Sequence, residues 1–226
     1  MRFWTLTSRT SILSRTYSPR IELDPDKNYS VGLKSFEVFN SIPNVDEENN
    51  LFHYNDKILE IPIGSYEIED IESYLQKTLG KDNISVKPNL NTLLCEIHSK
   101  FSVDFTKPRT IGRMLGFGPS RILEPNKAHQ SELPVDIIRL DTINIDCNIA
   151  SGAYFNEREV HTIYGFSNVT PVGYKIIEKQ EPPIYYPVLD KFIDNITVTV
   201  TDQEGRLVNF RGELLTVRVH LKEDGY

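Results

Sequence analysis

The stretch FIDNITVTVTDQEGRLVNFRGELLTVRVHL, residues 192–221, decides the fold of this 226-residue chain. Its first part alternates polar residues, mostly threonine, with Ile196, Val198 and Val200, which predicts a strand with one dry face. Its last part repeats the pattern with Leu215, Val217, Val219 and Leu221. Asp202-Gln203-Glu204-Gly205 predicts a turn, so we interpret the two strands as a hairpin. An isolated hairpin is marginal in water, and this one therefore needs partner strands from elsewhere in the chain.

Those partners are predicted by further alternating segments, about nine or ten strands in all with turn signals between them. This spacing is typical of an all-β sandwich. Along residues 29–38 the apolar positions change phase near Lys34-Ser35, which predicts a bulge. The run over residues 135–150 also changes phase, near Arg139, and predicts a second bulge or bend. Its candidate inward residues are Val135, Ile137, Leu140, Ile143, Ile145 and Cys147.

One segment has the period of a helix instead. Its apolar residues recur at intervals of three and four, and they are Ile68, Ile71, Leu75 and Leu79. Ser65 is predicted to cap the first turn and Gly80 to end the helix. A second, short helix is predicted over residues 108–115, closed by Gly116-Phe117-Gly118. No linker interrupts the chain, so we expect one domain over residues 1–226, with residues 64–117 as a small helix and hairpin elaboration.

Charge and hydropathy exclude several classes of function. A net charge of -7 at pH 7 argues against nucleic-acid coating, which depends on clustered Lys and Arg. No apolar run approaches the roughly 18–20 residues that cross a bilayer, which predicts a soluble protein without membrane insertion. The first twenty residues carry four arginines and no acid, as a mitochondrial presequence would. Their many Ser and Thr residues, with Pro19, favour an extended arm or a first strand instead.

Residue types that carry chemistry are scattered. Cys95 and Cys147 lie among alternating apolar residues, which favours buried free thiols over a disulfide and indicates a protein that folds inside the cell and is not secreted. Asp46, Glu47 and Glu48 diverge on any regular backbone and indicate a solvated loop. Tyr185-Tyr186, between prolines, is the best candidate for an exposed contact cluster. We predict no catalytic, cofactor-binding or metal-binding residues, because no pair with metal-ligand spacing occurs among His53, His98, His129, His161 and His220.

Several short patterns together resemble one protein family. They are S-I-L followed by S-P-R-I-E-L, then S-I-P-N at residues 41–44, I-P-I-G-S-Y-E-I-x-D-I, L-G-F at 115–117, G-x-Y at 152–154, and D-Q-E-G-R-L-V-N-F-R-G-E at 202–213. The chain resembles, over nearly its whole length, the minor capsid or penton proteins of Polinton (Maverick) elements and adintoviruses. The pattern at residues 202–213 is the most distinctive of the set.

The resemblance implies a single jelly roll that forms homopentamers at the fivefold vertices of an icosahedral virion. The faces of that shell would be made by a separate major capsid protein with a double jelly roll. It also implies assembly inside the host cell, no enzymatic activity and no cofactor. From the basic charge of residues 1–20 we hypothesise that this segment forms an arm or an added strand, and that an arm would contact the capsid interior. Two other classes stay open on the residues alone: a lectin-like or receptor-like binding module that uses aromatic loops, and a β-sandwich enzyme with a polar, metal-binding pocket.

Overall fold

The computed structural model of the protein describes residues 2–137, 140–155 and 157–224. The fold is an all-β jelly-roll β-sandwich with a helix-containing elaboration. Residue contacts divide the chain into two compact units, Met1–Ile42 with Leu140–Tyr226, and Pro43–Arg139. Each unit has its own cluster of buried apolar side chains, so each is described separately.

The described residues form 18 strands. The first unit begins with β1 (Arg2–Ser8), β2 (Ile12–Glu22) and β3 (Tyr29–Phe39). The second unit contains β4 (Leu51–Tyr54), β5 (Lys57–Glu60), β6 (Ile84–Pro88), β7 (Cys95–Ser99), β8 (Val103–Asp104), β9 (Ile122–Leu123) and β10 (Lys127–Gln130). The first unit resumes with β11 (Thr142–Cys147), β12 (Ala153–Phe155), β13 (Arg158–Val160), β14 (Thr162–Ser167), β15 (Lys175–Lys179), β16 (Tyr186–Val188), β17 (Phe192–Thr201) and β18 (Leu215–Glu223).

The first unit is a sandwich of two antiparallel sheets. One sheet has the order β1-β18-β3-β15, with β16 also paired to β3. The other has the order β14-β11-β17-β2. Both sheets contribute to one apolar cluster, in which Ile196, Val198 and Val200 of β17 share the core with Leu215, Val217 and Val219 of β18. The core therefore fills the space between the sheets, and both dry faces predicted for residues 192–221 are confirmed.

The hairpin predicted for the same stretch is wrong. β17 pairs with β11 and β2, whereas β18 pairs with β1 and β3, so the two strands lie in opposite sheets. The predicted turn at Asp202–Gly205 is present, with the Gly205 N–H donating to the Asp202 carbonyl at 3.1 Å. It starts a connection that crosses from one sheet to the other. Along this connection Val208 and Phe210 turn into the core.

The bulge predicted in β3 is confirmed. Leu33 pairs with Val219 and Ser35 with Arg218, which leaves Lys34 as the extra residue on β3. Because one inserted residue reverses the alternation, Val31 and Leu33 before it and Phe36 after it all face the core. In the 135–150 run the strand covers only Thr142–Cys147, and Ile143, Ile145 and Cys147 are buried as predicted. Arg139, at the predicted second phase change, lies outside the described residues.

The second unit packs one helix, α1 (Ile68–Leu79), and two small sheets around their own core. The sheets have the orders β10-β7-β6 and β5-β4-β8-β9. The helix is confirmed, and Gly80 ends it with a φ of 101° that favours glycine. The cap predicted at Ser65 is wrong, because the N-cap is Glu67, whose N–H donates to the Asp70 carboxylate at 3.0 Å. The second predicted helix is one short 3-10 turn over Ile111–Arg113. The whole unit spans Pro43–Arg139, a wider segment than the predicted elaboration over residues 64–117.

The arginine-rich N-terminal segment is folded into the sandwich as β1 and β2. β1 pairs along its length with β18, and β2 pairs with β17 on the other sheet. Leu6 and Leu13 from these strands are fully buried in the core between the sheets. The sequence predicted either an extended arm or a first strand for this segment, and the structure has strands at 2–8 and 12–22.

Candidate functional site

The first candidate surface is a narrow side of the sandwich, formed by β1 and β2 and termed the arginine edge. Of the described strands, β1 is outermost in one sheet and β2 is outermost in the other. Arg15 joins them, because its Nη1 donates to the Ser14 carbonyl at 2.8 Å and its Nη2 to the Thr7 carbonyl at 3.1 Å. The arginine edge carries the exposed side chains of Arg2, Arg9, Arg15 and Arg20.

The positive charge of this edge is largely uncompensated. Arg9 Nη1 donates to the Gly212 carbonyl at 2.8 Å, and a neutral carbonyl, like those that hold Arg15, orients a guanidinium without cancelling its charge. Of the four arginines, Arg20 alone pairs with a described carboxylate, that of Glu22 at 3.5 Å. Both partners of that pair are well exposed, so solvent and salt screen it. The edge therefore presents a net positive strip.

An aromatic ring adds a contact point to the arginine edge. The Arg20 guanidinium lies 3.8 Å from the centroid of the Phe192 ring, at the start of β17. Half of Phe192 remains exposed in spite of this contact. Arginine and aromatic side chains are the types most enriched at protein interfaces, and a guanidinium over a ring adds a cation–π attraction.

The second candidate surface is a depression of about 600 Å³ on the outer face of the β14-β11-β17-β2 sheet, termed the acidic groove. Polar residues of β11 and β14 make its floor, and the β12–β13 hairpin and the turn after β17 make its walls. Its lining residues are Asn144, Asp146, Gly152, Ala153, Tyr154, Val160, Thr162, Tyr164, Gly165, Tyr186, Thr201, Asp202, Gln203, Glu204 and Gly205. An adjoining depression of about 410 Å³, lined by Asp146, Glu159 and His161 among others, extends it to Thr197 and Thr199 of β17.

The charged lining of both depressions is acidic. Asp146, Glu159, Asp202 and Glu204 line them, and the described lining residues include no Lys or Arg. Asp146 accepts from the Thr162 hydroxyl at 2.6 Å, and Glu159 accepts from the Gly152 N–H at 3.1 Å. Among the described side chains, neither carboxylate pairs with a cation.

The turn at Asp202–Gly205 has a structural role at the rim of the acidic groove. The Asp202 carboxylate accepts from the N–H groups of Glu204 at 2.8 Å and Arg206 at 2.9 Å, and from the Arg206 guanidinium at 2.8 Å. Burial alone would raise the pKa of Asp202, but these hydrogen bonds outweigh it and hold the pKa below its ordinary value. Gly205 has a φ of 80°, which a β-carbon disfavours. The D-x-x-G spacing is thus required by the turn.

A third surface is apolar, and it lies where the β14–β15 loop meets the end of β3. The Asn40 N–H donates to the Tyr174 carbonyl at 2.8 Å, and the Gly173 N–H donates to the Asn40 carbonyl at 2.7 Å. These two hydrogen bonds hold the loop beside the strand. The large exposed side chains there are Phe39, Val169, Val172, Tyr174 and Ile177. Apolar side chains grouped in this way are typical of surfaces that contact other proteins.

No protein-family model and no curated protein sequence matches this chain. A solved structure does match: the crystal structure of the selenomethionine-labelled mavirus penton protein, with a TM-score of 0.53 and 10% sequence identity. The match covers 98% of this chain and 99% of that one. The fold is penton-like. At this identity the likeness establishes a shared fold and not a shared activity.

The cluster predicted to be exposed at Tyr185-Tyr186 is wrong, because both rings are half-buried. Tyr186 packs against the core of the first unit. The Tyr185 hydroxyl lies 2.7 Å from Nδ1 of His220, and the Phe3 ring stacks on the same imidazole with 4.3 Å between the ring centroids. Burial and the nearby Lys222 and Lys34 ammonium groups lower the pKa of His220, which keeps the imidazole neutral near pH 7.

Three of the other four histidines contact backbone carbonyls. Ring nitrogens of His53, His129 and His161 lie within 3.2 Å of the carbonyls of Pro108, Glu124 and Ala150, respectively. Within the described ranges, no three His, Cys, Asp or Glu side chains converge as a metal site.

Asp46 accepts from the Glu48 N–H at 2.9 Å, a loop contact within the acidic run. None of the described helices is long and apolar enough to cross a bilayer.

Sequence reasoning did not find the acidic groove, because its lining comes from several separate stretches of chain between residues 144 and 205. The available signal was the outer face of β17, which carries threonine where a plain solvent face carries charge. In the structure, Thr197 and Thr199 of β17 are half-buried and line the depression that adjoins the groove.

Cys95 and Cys147 are buried free thiols, as predicted. Burial raises the pKa of Cys95 to about 12 and that of Cys147 to about 11, since a thiolate would be poorly solvated there. We therefore expect the folded protein to react negligibly with Ellman's reagent at pH 8 and to release two thiols per chain after denaturation. A fast-reacting thiol in the native protein would contradict the burial.

The same shifts predict how stability depends on pH. A thiol with a raised folded-state pKa favours the folded state below the pKa of the unfolded thiol, near 8.5. The contribution is lost as the pH rises from there towards 11 and 12. Alkaline unfolding should accordingly become easier across this range, and replacing both cysteines with Ala should remove that part of the pH dependence.

Proposed function

We propose that this protein is a structural minor capsid protein, a penton, that forms homopentamers at the fivefold vertices of an icosahedral virus-like capsid. The observation that carries the proposal is the end-to-end structural match to a viral penton protein, at a TM-score of 0.53 over 98% of the chain. The function is assembly, and we name no catalytic, cofactor-binding or metal-binding residues.

The family proposed for the chain is that of the Polinton (Maverick) and adintovirus pentons. Support comes from the sequence patterns at residues 41–44 and 202–213, which are independent of the structural match. The partner in this proposal is a major capsid protein with a double jelly roll, and the protein's location is the vertex of the virion. Assembly takes place inside the host cell.

A closed ring of identical subunits needs two different surfaces on each subunit, one for each neighbour. The first unit offers surfaces of opposite charge in the arginine edge and the acidic groove. It also has open sheet edges, which attract uncontrolled strand pairing unless a neighbour covers them. With a net charge of -7 on each chain, association depends on such local complementarity to overcome overall repulsion.

The proposal is tested by the mass of the assembled protein. The expected result is a particle near 130 kDa by native mass spectrometry and light scattering, five times the 26.0 kDa subunit. Co-expression with the major capsid protein of the same element should then give shells with this protein at the vertices by cryo-electron microscopy. Shells with empty vertices, from cells that contain folded protein, would contradict the proposal.

A further inference from the structure

We propose that the arginine edge of one copy binds in the acidic groove of the next copy, and that this contact joins neighbouring subunits in the ring. The inference rests on the proposed function, because it names the surfaces that a homopentamer would use. The occupant of the acidic groove is therefore a second copy of this chain, identified by its β1–β2 edge.

The two surfaces are placed for a ring. β2 and β14 are the outermost described strands at opposite edges of the same sheet. The acidic groove lies on the β14 side of that sheet, where the Tyr164 hydroxyl donates to Glu178 at 3.3 Å and links β14 to β15 of the other sheet. The acidic groove lies mainly over β11 and β14, with an extension that reaches Thr197 and Thr199 of β17. The two surfaces use different residues, and a head-to-tail contact uses one of each per subunit.

Charge complementarity selects this occupant. The arginine edge carries four exposed arginines, with Glu22 as their one described carboxylate partner. The groove presents Asp146 and Glu159, which pair with no described cation. Guanidinium and carboxylate groups form the strongest charge-assisted hydrogen bonds available to side chains. Opposite patches also exclude other orientations, since like surfaces repel.

The side chains at both surfaces are also of the types that anchor interfaces. Arg20 is held against the Phe192 ring at 3.8 Å, so its guanidinium loses little freedom on binding. Across the contact, Tyr154 is about two-thirds exposed at the wall of the groove. Arg and Tyr are among the residue types that contribute most to the binding energy of protein interfaces.

The test reverses the charge on each surface separately and then on both. Arg15→Glu with Arg20→Glu makes the edge acidic, and Asp146→Lys with Glu159→Lys makes the groove basic. Each double variant should weaken self-association at least about tenfold, and the quadruple variant should regain most of it, because both surfaces are again complementary. Wild-type association should weaken with added salt. Sedimentation velocity over a concentration series measures all four proteins.

Two controls separate contact from folding. Lys57→Glu with Lys87→Glu makes the same charge change as the edge variant at exposed positions of the second unit, and should leave association unchanged. The milder variant Asp146→Asn with Glu159→Gln removes the charge of the groove but keeps the shape of both side chains. It should weaken association less than the Lys variant does. Circular dichroism melts establish that each variant is folded.

The outcomes distinguish this inference from the proposed function. If the wild-type protein is a pentamer and neither charge reversal weakens its association, the contact is overturned and the proposed pentamer is still supported. A salt-sensitive ring of another number, disrupted by either reversal and restored by the quadruple variant, supports the contact and overturns the pentamer. A folded wild-type protein that stays monomeric at every concentration overturns the contact.

Discussion

Val217→Asp should abolish folding, with loss of soluble protein or of its near-ultraviolet circular dichroism. Val217 is fully buried in β18, and no described basic group lies in the core that surrounds it. An aspartate there either stays charged without solvent or takes up a proton at pH 7, which costs about 4 kcal/mol for a shift of three pKa units. The lost valine contact adds about 1.5–3 kcal/mol. Together these approach the whole stability of a typical domain, about 5–15 kcal/mol.

Thr216→Asp is the matched control, because Thr216 precedes Val217 on the same strand and faces outward. Its unfolding free energy should fall by only about 1 kcal/mol, because Thr216 is half-buried and lies opposite Glu37, whose carboxylate repels the new aspartate. Val198→Asp extends the test to the opposite sheet, and should be as damaging as Val217→Asp. A folded Val217→Asp protein, with a cooperative melt like that of Thr216→Asp, would show that the core face has been misassigned.

The pattern of residues 192–221 illustrates what sequence reasoning establishes for this fold. A period of two identifies which side chains face the core. The prediction was correct at all seven apolar positions, which are Ile196, Val198, Val200, Leu215, Val217, Val219 and Leu221. The period does not identify the partner of a strand, because a hairpin and two facing sheets bury the same side chains. The connection from residue 202 to residue 214 decides between them, and its two buried apolar residues, Val208 and Phe210, are too few to indicate which sheet the chain joins next.

Some local signals were reliable, although the cap predicted at Ser65 was wrong. The phase change at Lys34 predicted the bulge, since one inserted residue must reverse the alternation, and Gly80 marked the end of α1. Properties that depend on distant segments were missed. The acidic groove joins β11, β14 and the turn at Asp202–Gly205, and the half-burial of Tyr185 depends on His220 from another strand. Such sites need the topology before any of their residues can be singled out.

The N-terminal segment gives the second large effect. Removing residues 1–22 should leave a protein that does not fold, because the deletion takes the outermost described strand from each sheet. Leu6 and Leu13 are lost from the core, at about 1.5–3 kcal/mol each, and the apolar side chains that packed against them are opened to water. β17 and β18 also lose hydrogen-bonded partners along most of their length. The expected result is aggregation on expression, with no cooperative melt from refolded material.

The matched variant keeps the strands and removes their charge, with Gln at Arg2, Arg9, Arg15 and Arg20. It should fold, at a cost of about 1–2 kcal/mol for the lost guanidinium bonds to the carbonyls of Gly212, Ser14 and Thr7. The comparison separates two roles for one segment. A detachable basic arm would tolerate deletion in folding assays and lose only its charge-dependent contacts, whereas paired strands tolerate neutralisation and not deletion. A truncated protein that melts like the full chain would therefore rule out β1 and β2 as structural strands.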